Sequence, residues 1–181
     1  TQGNINADNT DGYGFITNIK THCKHWTPKA GSALVLGAGG ASRAILVSLL
    51  EAGVPKIYLS NRTHQRALDV AAELSPLIEV LPWQHKERCL TNVMTVVNTT
   101  SLGMTGRPPL KIDISGINPA ALVTDLIYVP LETPLLKQAK ILGCNVVGGI
   151  GMLLNQGVPG FETWFGIRPV VNPEIEALVL E

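Results

Sequence analysis

Apolar residues along the chain fall into two alternating kinds of run. The first kind is short and dense, and the spacing predicts six strands: Ala33 to Leu36, Lys56 to Ser60, Ile78 to Leu81, Met94 to Asn98, Ala121 to Leu126 and Asn145 to Val147. The second kind repeats at helical spacing between them. Ile45, Leu46, Leu49 and Leu50 form one such face, Ala67, Leu68, Ala71, Ala72 and Leu74 a second, and Leu135, Leu136, Ala139 and Leu142 a third. Phe15, Ile16 and Ile19 give a short helical face before the first strand. Met152 to Gln156, then Phe161, Trp164 and Phe165, continue as a strongly apolar helix after the last, and residues 172 to 181 open on Asn172-Pro173 as a final short helix. Trp83 to Leu90 predicts a further short helix, while residues 105 to 119, rich in Pro and Gly, read as loop. Gly53 and Gly143 stand where helices end, and Thr133-Pro134 supplies a cap and a first helical residue. Strands alternating with helices in this way predict an α/β fold, a doubly wound parallel sheet followed by C-terminal helices.

Composition narrows the class. With 181 residues and 45% hydrophobic content, the chain can build one sizeable core, or one domain plus an appendage. The formal net charge is zero, which gives no electrostatic case for nucleic acid or an anionic membrane. No apolar run has the length of a membrane span. Cys23, Cys89 and Cys144 are far apart and odd in number, so they read as reduced thiols of a cytoplasmic protein. His22, Cys23 and His25 lie close together but lack a converging fourth donor, so no metal site is expected. The chain opens Thr1-Gln2-Gly3 without Met and runs straight into a motif-like segment, which raises the expectation of a longer parent protein.

Chemistry concentrates at the first strand–helix junction. Gly37-Ala38-Gly39-Gly40-Ala41-Ser42 matches the first two glycines of G-x-G-x-x-G and has Ser42 at the third position. Such a turn lets backbone approach a ligand, and the helix that follows offers free N–H groups and a positive dipole end to a pyrophosphate. Alone, the motif is also compatible with a plain tight turn. The end of the second strand adds information. An NAD site places a carboxylate there for the ribose 2′-hydroxyl, yet no acid occurs from Ile57 to Ala67. Asn61, Arg62, Thr63 and Arg66 stand there instead, and a guanidinium suits a 2′-phosphate. NADP is therefore the expected cofactor. Upstream, Asn9-Thr10-Asp11 either caps a helix or places a carboxylate toward a polyhydroxylated substrate; the residues alone leave both open.

Four segments together resemble one family. Asn9-Thr10-Asp11-Gly12-Tyr13-Gly14-Phe15, Gly37 to Ala44, Asn61-Arg62-Thr63 and Gly149-Ile150-Gly151-Met152-Leu153-Leu154-Asn155-Gln156 follow the order and spacing of shikimate dehydrogenases. Asn98-Thr99-Thr100-Ser101-Leu102-Gly103-Met104 and Asp125 to Pro130 are similar too. The resemblance implies a Rossmann-like NADP-binding domain over residues 1–150 that includes the N-terminal linking helix. It also implies C-terminal helices over 151–181 that pack on a substrate domain this chain lacks. It implies NADP-dependent interconversion of 3-dehydroshikimate and shikimate, a step toward chorismate and the aromatic amino acids. Asp11 would be the catalytic partner of a lysine carried by the absent part, and would contact substrate together with Tyr128 and Gln156. Thr99, Ser101, Gly149 and Met152 would border the cofactor's ribose and nicotinamide. Core packing is the competing reading of Met152, and a plain exposed helix position that of Gln156. The other readings of the chain are a quinate/shikimate dehydrogenase, another NADP reductase with a similar nucleotide domain, and a nucleotide-binding module without turnover. A homodimer is the candidate assembly. Phe161, Trp164 and Phe165 are expected to meet another part of the same protein or a second copy.

Overall fold

The computed structural model describes residue 3 and residues 7–179. Ile5 and Asn6 of the polar opening segment and the last two residues of the expected final helix lie outside the described residues.

Six parallel strands form one sheet: β1 (Ser32–Leu36), β2 (Ile57–Asn61), β3 (Ile78–Pro82), β4 (Val93–Asn98), β5 (Leu122–Asp125) and β6 (Asn145–Val147), in the order β3-β2-β1-β4-β5-β6. Between and around them run α1 (Asp11–His22), α2 (Gly40–Glu51), α3 (His64–Leu74), α4 (Pro134–Ile141), α5 (Ile150–Phe165) and α6 (Pro173–Leu178). The order reverses between β1 and β4, which opens a crevice at their carboxyl ends.

Both faces of the sheet are buried, which is why β1 reads as an unbroken apolar run. Ala33 and Val35 point into one apolar layer with Phe15, Ile19, Ile45, Leu49 and Met152, drawn from α1, α2 and α5. Leu34 and Leu36 point into the other, with Leu90, Ile114, Ile117, Leu135 and Ala139. The second layer is covered by α4, by the 110–121 loop and by a series of 3-10 turns over Trp83–Asn92. That last segment is the expected short helix, wound as 3-10 turns and extended to Asn92, with Lys86, Cys89 and Leu90 buried. Each of the other expected elements appears among the described residues, β6 with the expected bounds and the rest with bounds shifted by up to a few residues.

α1 and α5 cross at unusually close range, because small residues stand at the contact. A Cβ on Gly14 would come within 2.7 Å of both Gln156 N and Met152 O, and one on Gly151 within 2.1 Å of Asn18 Oδ1. Asn18 is 2% exposed and donates through Nδ2 to Gly148 O at 2.8 Å, tying α1 to the turn before α5. Gly14→Ala is therefore expected to force the helices apart and lower stability by about 1–3 kcal/mol, measured by chemical denaturation. The exposed Gly157→Ala, where a Cβ meets nothing within 4 Å, should not be destabilising.

Pro159 lies within α5, and the helix ends at Gly166 in the left-handed conformation (φ 69°). Its last turns project apolar rings into solvent: Trp164 is 79% and Phe165 62% exposed, and Phe161 meets Phe165 at 4.5 Å between centroids. These rings do not pack on the chain's own sheet.

Candidate functional site

The site assembles at the carboxyl edge of the sheet, from the segments that follow its six strands. Gly37 takes φ +108°, and a Cβ there would strike Thr99 Oγ1 at 2.6 Å, so both its conformation and its surroundings require glycine. Its N–H donates to Ser60 O (2.8 Å), and Thr99 donates from N and Oγ1 to Leu36 O at 2.9 and 2.8 Å. Ala38 N donates to Asn61 Oδ1 at 3.2 Å, and Asn61 Nδ2 donates to Thr63 O at 2.8 Å. The turn after β1 is thereby pinned to the ends of β2 and β4 before any ligand arrives. Asn61 and Thr99 act here as braces, a role their side chains perform within the protein itself.

Beyond Gly37 the turn opens. A Cβ on Gly39 or Gly40 would meet nothing within 4 Å. α2 starts from Gly39 with no side-chain cap, and Ala41 stands in its first turn. The uncapped N–H groups and the helix dipole point into open space, an arrangement suited to a pyrophosphate. Arg43, in the same helix, is engaged elsewhere by Glu73.

Next to the turn lies a cavity of about 300 Å³ lined by Asn61, Arg62, Trp83, Thr100, Ser101, Leu102, Arg107 and Pro108. Arg62 faces it as the strand-end reading requires; Arg66, on the exposed side of α3, does not line it. Thr63 is the cap residue of α3 and makes no side-chain cap bond. Sequence pattern gives no sign of either Arg107, in a Pro- and Gly-rich loop, or Trp83, which reads only as the start of a short helix.

A buried polar network stiffens the floor of the site. Asp125, 1% exposed at the end of β5, accepts from Asn98 Nδ2 (3.0 Å), Ile127 N (3.1 Å) and Thr133 Oγ1 (2.8 Å). Asn98 in turn accepts from Thr100 N and Thr100 Oγ1, at 3.0 and 2.7 Å, and so sets the loop after β4. Burial pushes the Asp125 carboxyl above its ordinary value of 3.8, against the opposing effect of its three donors. The folded state then holds that proton more tightly than the unfolded chain. The contribution of Asp125 to stability is full below pH 3.8 and declines as pH rises through the folded value. Asp125→Asn keeps the shape and should remove that decline, which denaturation at a series of pH values would show. Asp125→Ala strands three donors and should cost about 2–4 kcal/mol.

The other side of the crevice is formed by α1, α5 and the loops after β5 and β6. Gly149 N donates to Ile127 O at 3.2 Å, and a Cβ on Gly149 would lie 2.2 Å from Leu126 O, so these two loops touch backbone to backbone. Tyr128, 39% exposed, rides on this ridge. Met152 is 7% exposed in the apolar layer beside Phe15 and Ile19, so much of its side chain serves core packing. Asp11 begins α1, half-buried; its N–H donates to Asn9 Oδ1 (2.8 Å), and its carboxylate has no partner among the described residues. Asp11 precedes Gly14 by three residues and shares its face, and Gly14 packs on the backbone of Gln156. The α1–α5 contact therefore brings Asp11 and Gln156 to neighbouring turns of two packed helices. The acid-rich opening thus both shapes the helix start, through Asn9, and leaves one carboxylate free.

Among the described residues no group of three or more His, Cys, Asp or Glu side chains could hold a metal ion. The three cysteines are buried, and burial pushes the Cys89 thiol up to about 11. No helix among those residues is long and apolar enough to cross a membrane.

Sheet order, glycine turn and uncapped helix define a dinucleotide-binding domain of the Rossmann type. Residues 21–104 match the family model for shikimate / quinate 5-dehydrogenase, and residues 149–172 that for the shikimate 5′-dehydrogenase C-terminal domain. Similar curated proteins include shikimate dehydrogenase (NADP(+)) of Paracoccus denitrificans, 52% identical over 178 residues, which span 98% of this chain and 63% of that protein. Its counterpart in Ruegeria sp. is 51% identical, with 98% and 64% covered. Among solved structures, quinate dehydrogenase from Corynebacterium glutamicum in complex with NAD superposes with a TM-score of 0.87 at 29% identity, over 96% of this chain and 62% of that one. Shikimate 5-dehydrogenase from Thermus thermophilus in complex with NADP(H) and shikimate gives 0.76 at 35% identity, over 90% and 58%. The chain belongs to the shikimate/quinate dehydrogenase family. It spans a little under two thirds of the length of the curated relatives it matches.

Proposed function

We propose that this chain is the NADP-binding portion of a shikimate dehydrogenase, an oxidoreductase that reduces 3-dehydroshikimate to shikimate in the cytoplasm, on the route to chorismate and the aromatic amino acids. The observation that carries the cofactor reading is the end of β2. No carboxylate occurs from Ile57 to Ala67, and Arg62 faces the cavity beside the glycine turn. A carboxylate would favour a ribose hydroxyl; a guanidinium favours a 2′-phosphate. The names of the similar NADP-dependent proteins support the same choice.

The open turn and uncapped α2 fit the pyrophosphate, and the cavity wall of Asn61 and Arg62, with Thr63 at the adjoining start of α3, fits the adenosine end. Arg66 lies on the adjoining turn of α3 and joins as an outer cation. Thr99, Gly149 and Met152 border the ribose–nicotinamide half, and Ser101 stands between it and the cavity that holds Arg62. Bound NADPH supplies the hydride for the substrate ketone. This chain's residues orient the partners and manage one proton. Asp11, whose carboxylate has no partner among the described residues, holds the substrate hydroxyl and the lysine that the family resemblance places outside residues 1–181. That pairing keeps the lysine charged and aimed at the reacting oxygen. Gln156 hydrogen-bonds the substrate from the neighbouring helix, and Tyr128 closes the far side.

The exposed rings of α5 give this portion a face for the substrate-binding region, and a homodimer is the alternative use of that face. The reading as a whole is tested by NADPH oxidation with 3-dehydroshikimate, using a polypeptide that joins this chain to the lysine-bearing region. Turnover with 3-dehydroshikimate supports the assignment. Turnover with the corresponding quinate-series ketone alone would move the protein to quinate work.

A further inference from the structure

Two arginines from different loops share the adenosine-side cavity, and only one of them stands in the strand-end motif. Arg62 follows β2; Arg107 lies in the loop after β4. The Arg107 loop is held in shape by its own backbone. Gly103 N donates to Pro108 O (2.8 Å), Arg107 N to Met104 O (2.9 Å) and Thr105 N to Val129 O (3.0 Å). Arg43 and Arg168 are each paired with a glutamate, whereas neither Arg62 nor Arg107 has an acidic partner among the described residues. Among the described residues no acidic side chain lines the cavity. Its remaining walls are hydroxyl and amide groups (Asn61, Thr100, Ser101) and apolar surface (Trp83, Leu102, Pro108).

Two unneutralised guanidinium groups around one small hollow repel each other until an anion lies between them. A phosphate monoester carries about −1.5 to −2 charges at neutral pH and presents three acceptor oxygens, a match for two forks rather than one. The geometry points to Arg107 as a second ligand of the ribose 2′-phosphate and a determinant of cofactor choice, with Trp83, Leu102 and Pro108 walling the adenine. This rests on the NADP reading above. Arg62 binds from the β2 side and Arg107 from the β4 side, so the phosphate is clamped rather than merely neighboured.

The test is calorimetric titration of the chain, its Arg107→Ala variant and its Arg107→Gln variant with NADP+, NAD+, 2′,5′-ADP and 5′-AMP at one salt concentration. Arg107 is exposed, so circular dichroism should show both variants folded. Both substitutions should weaken NADP+ and 2′,5′-ADP by about 10- to 100-fold and leave NAD+ and 5′-AMP unchanged. Unchanged NADP+ binding overturns the proposal. Equal weakening of all four ligands also overturns it, since Arg107 would then hold the adenine and not the phosphate. If the unsubstituted chain itself fails to prefer NADP+ over NAD+, the underlying cofactor reading falls, an outcome distinct from failure of the Arg107 clamp alone.

Discussion

Asp11→Asn, placed in the polypeptide that unites this chain with the lysine-bearing region, should lower turnover by about 10²- to 10⁴-fold. NADPH affinity should stay within about twofold, because Asp11 lies on the α1–α5 side of the crevice, whereas the glycine turn and Arg62, to which the phosphates are assigned, lie across it. The size of the effect follows from what Asp11 does in the fold, which is little. Its backbone is held by Asn9, and its carboxylate has no partner among the described residues. Asparagine keeps the volume and the helix start but removes the charge, so stability should scarcely change. Stopped-flow measurement of the hydride step, with a parallel NADPH titration, checks both halves. Turnover near the unsubstituted level would leave Asp11 as a helix-start residue only. A fall in NADPH affinity equal to the fall in turnover would place it in the wrong half of the site.

Arg62→Ala should reduce NADP+ affinity by about 10- to 100-fold with NAD+ affinity unaltered, as expected for loss of charge-assisted hydrogen bonds to a group that only NADP+ carries. Arg62 is exposed and has no acidic partner among the described residues, so the substitution leaves no buried group unsatisfied and the fold should be untouched. Arg62→Lys should recover only part of the loss, because an ammonium cannot make the forked contact. The recovered part should weaken as salt is raised. Arg66→Ala should show a smaller effect in the same direction, since Arg66 does not line the cavity. Equal losses for both cofactors on Arg62→Ala would assign Arg62 to the adenine and leave the 2′-phosphate without its ligand.

The sheet was legible because its strands are buried on both faces. Val96-Val97 and Ala33 to Leu36 could be read as strands from apolar density alone, and the helices between them from period. Gly37 and Thr133 announced a turn and a cap through their chemistry, and Thr133 Oγ1 does accept from Leu136 N. What stayed hidden is of a different kind. The Asn98–Asp125–Thr133 network joins residues 27 and 8 positions apart, and no local pattern marks a contact made by neighbouring strands. Arg107 sits among Gly and Pro, where only the loop's three-dimensional closure carries it to the cavity. Trp83 resembles any aromatic at a strand end. Gln156 and Met152 occupy adjoining turns of one helix, yet Met152 sinks into the core while Gln156 stays half-open. Helical spacing gives the face but not what stands opposite it. Gly14 supplied that information only once its contact with α5 was in view.

The central claim is that this chain binds NADP in preference to NAD. Calorimetric titration of residues 1–181 with NADP+ and then NAD+, at the same salt and after circular dichroism has shown the chain folded, tests it most directly. The account predicts one site per chain and NADP+ binding at least tenfold tighter, about 1.4 kcal/mol, with the difference shrinking as salt is raised. A folded chain that binds the two cofactors equally, or prefers NAD+, would contradict it.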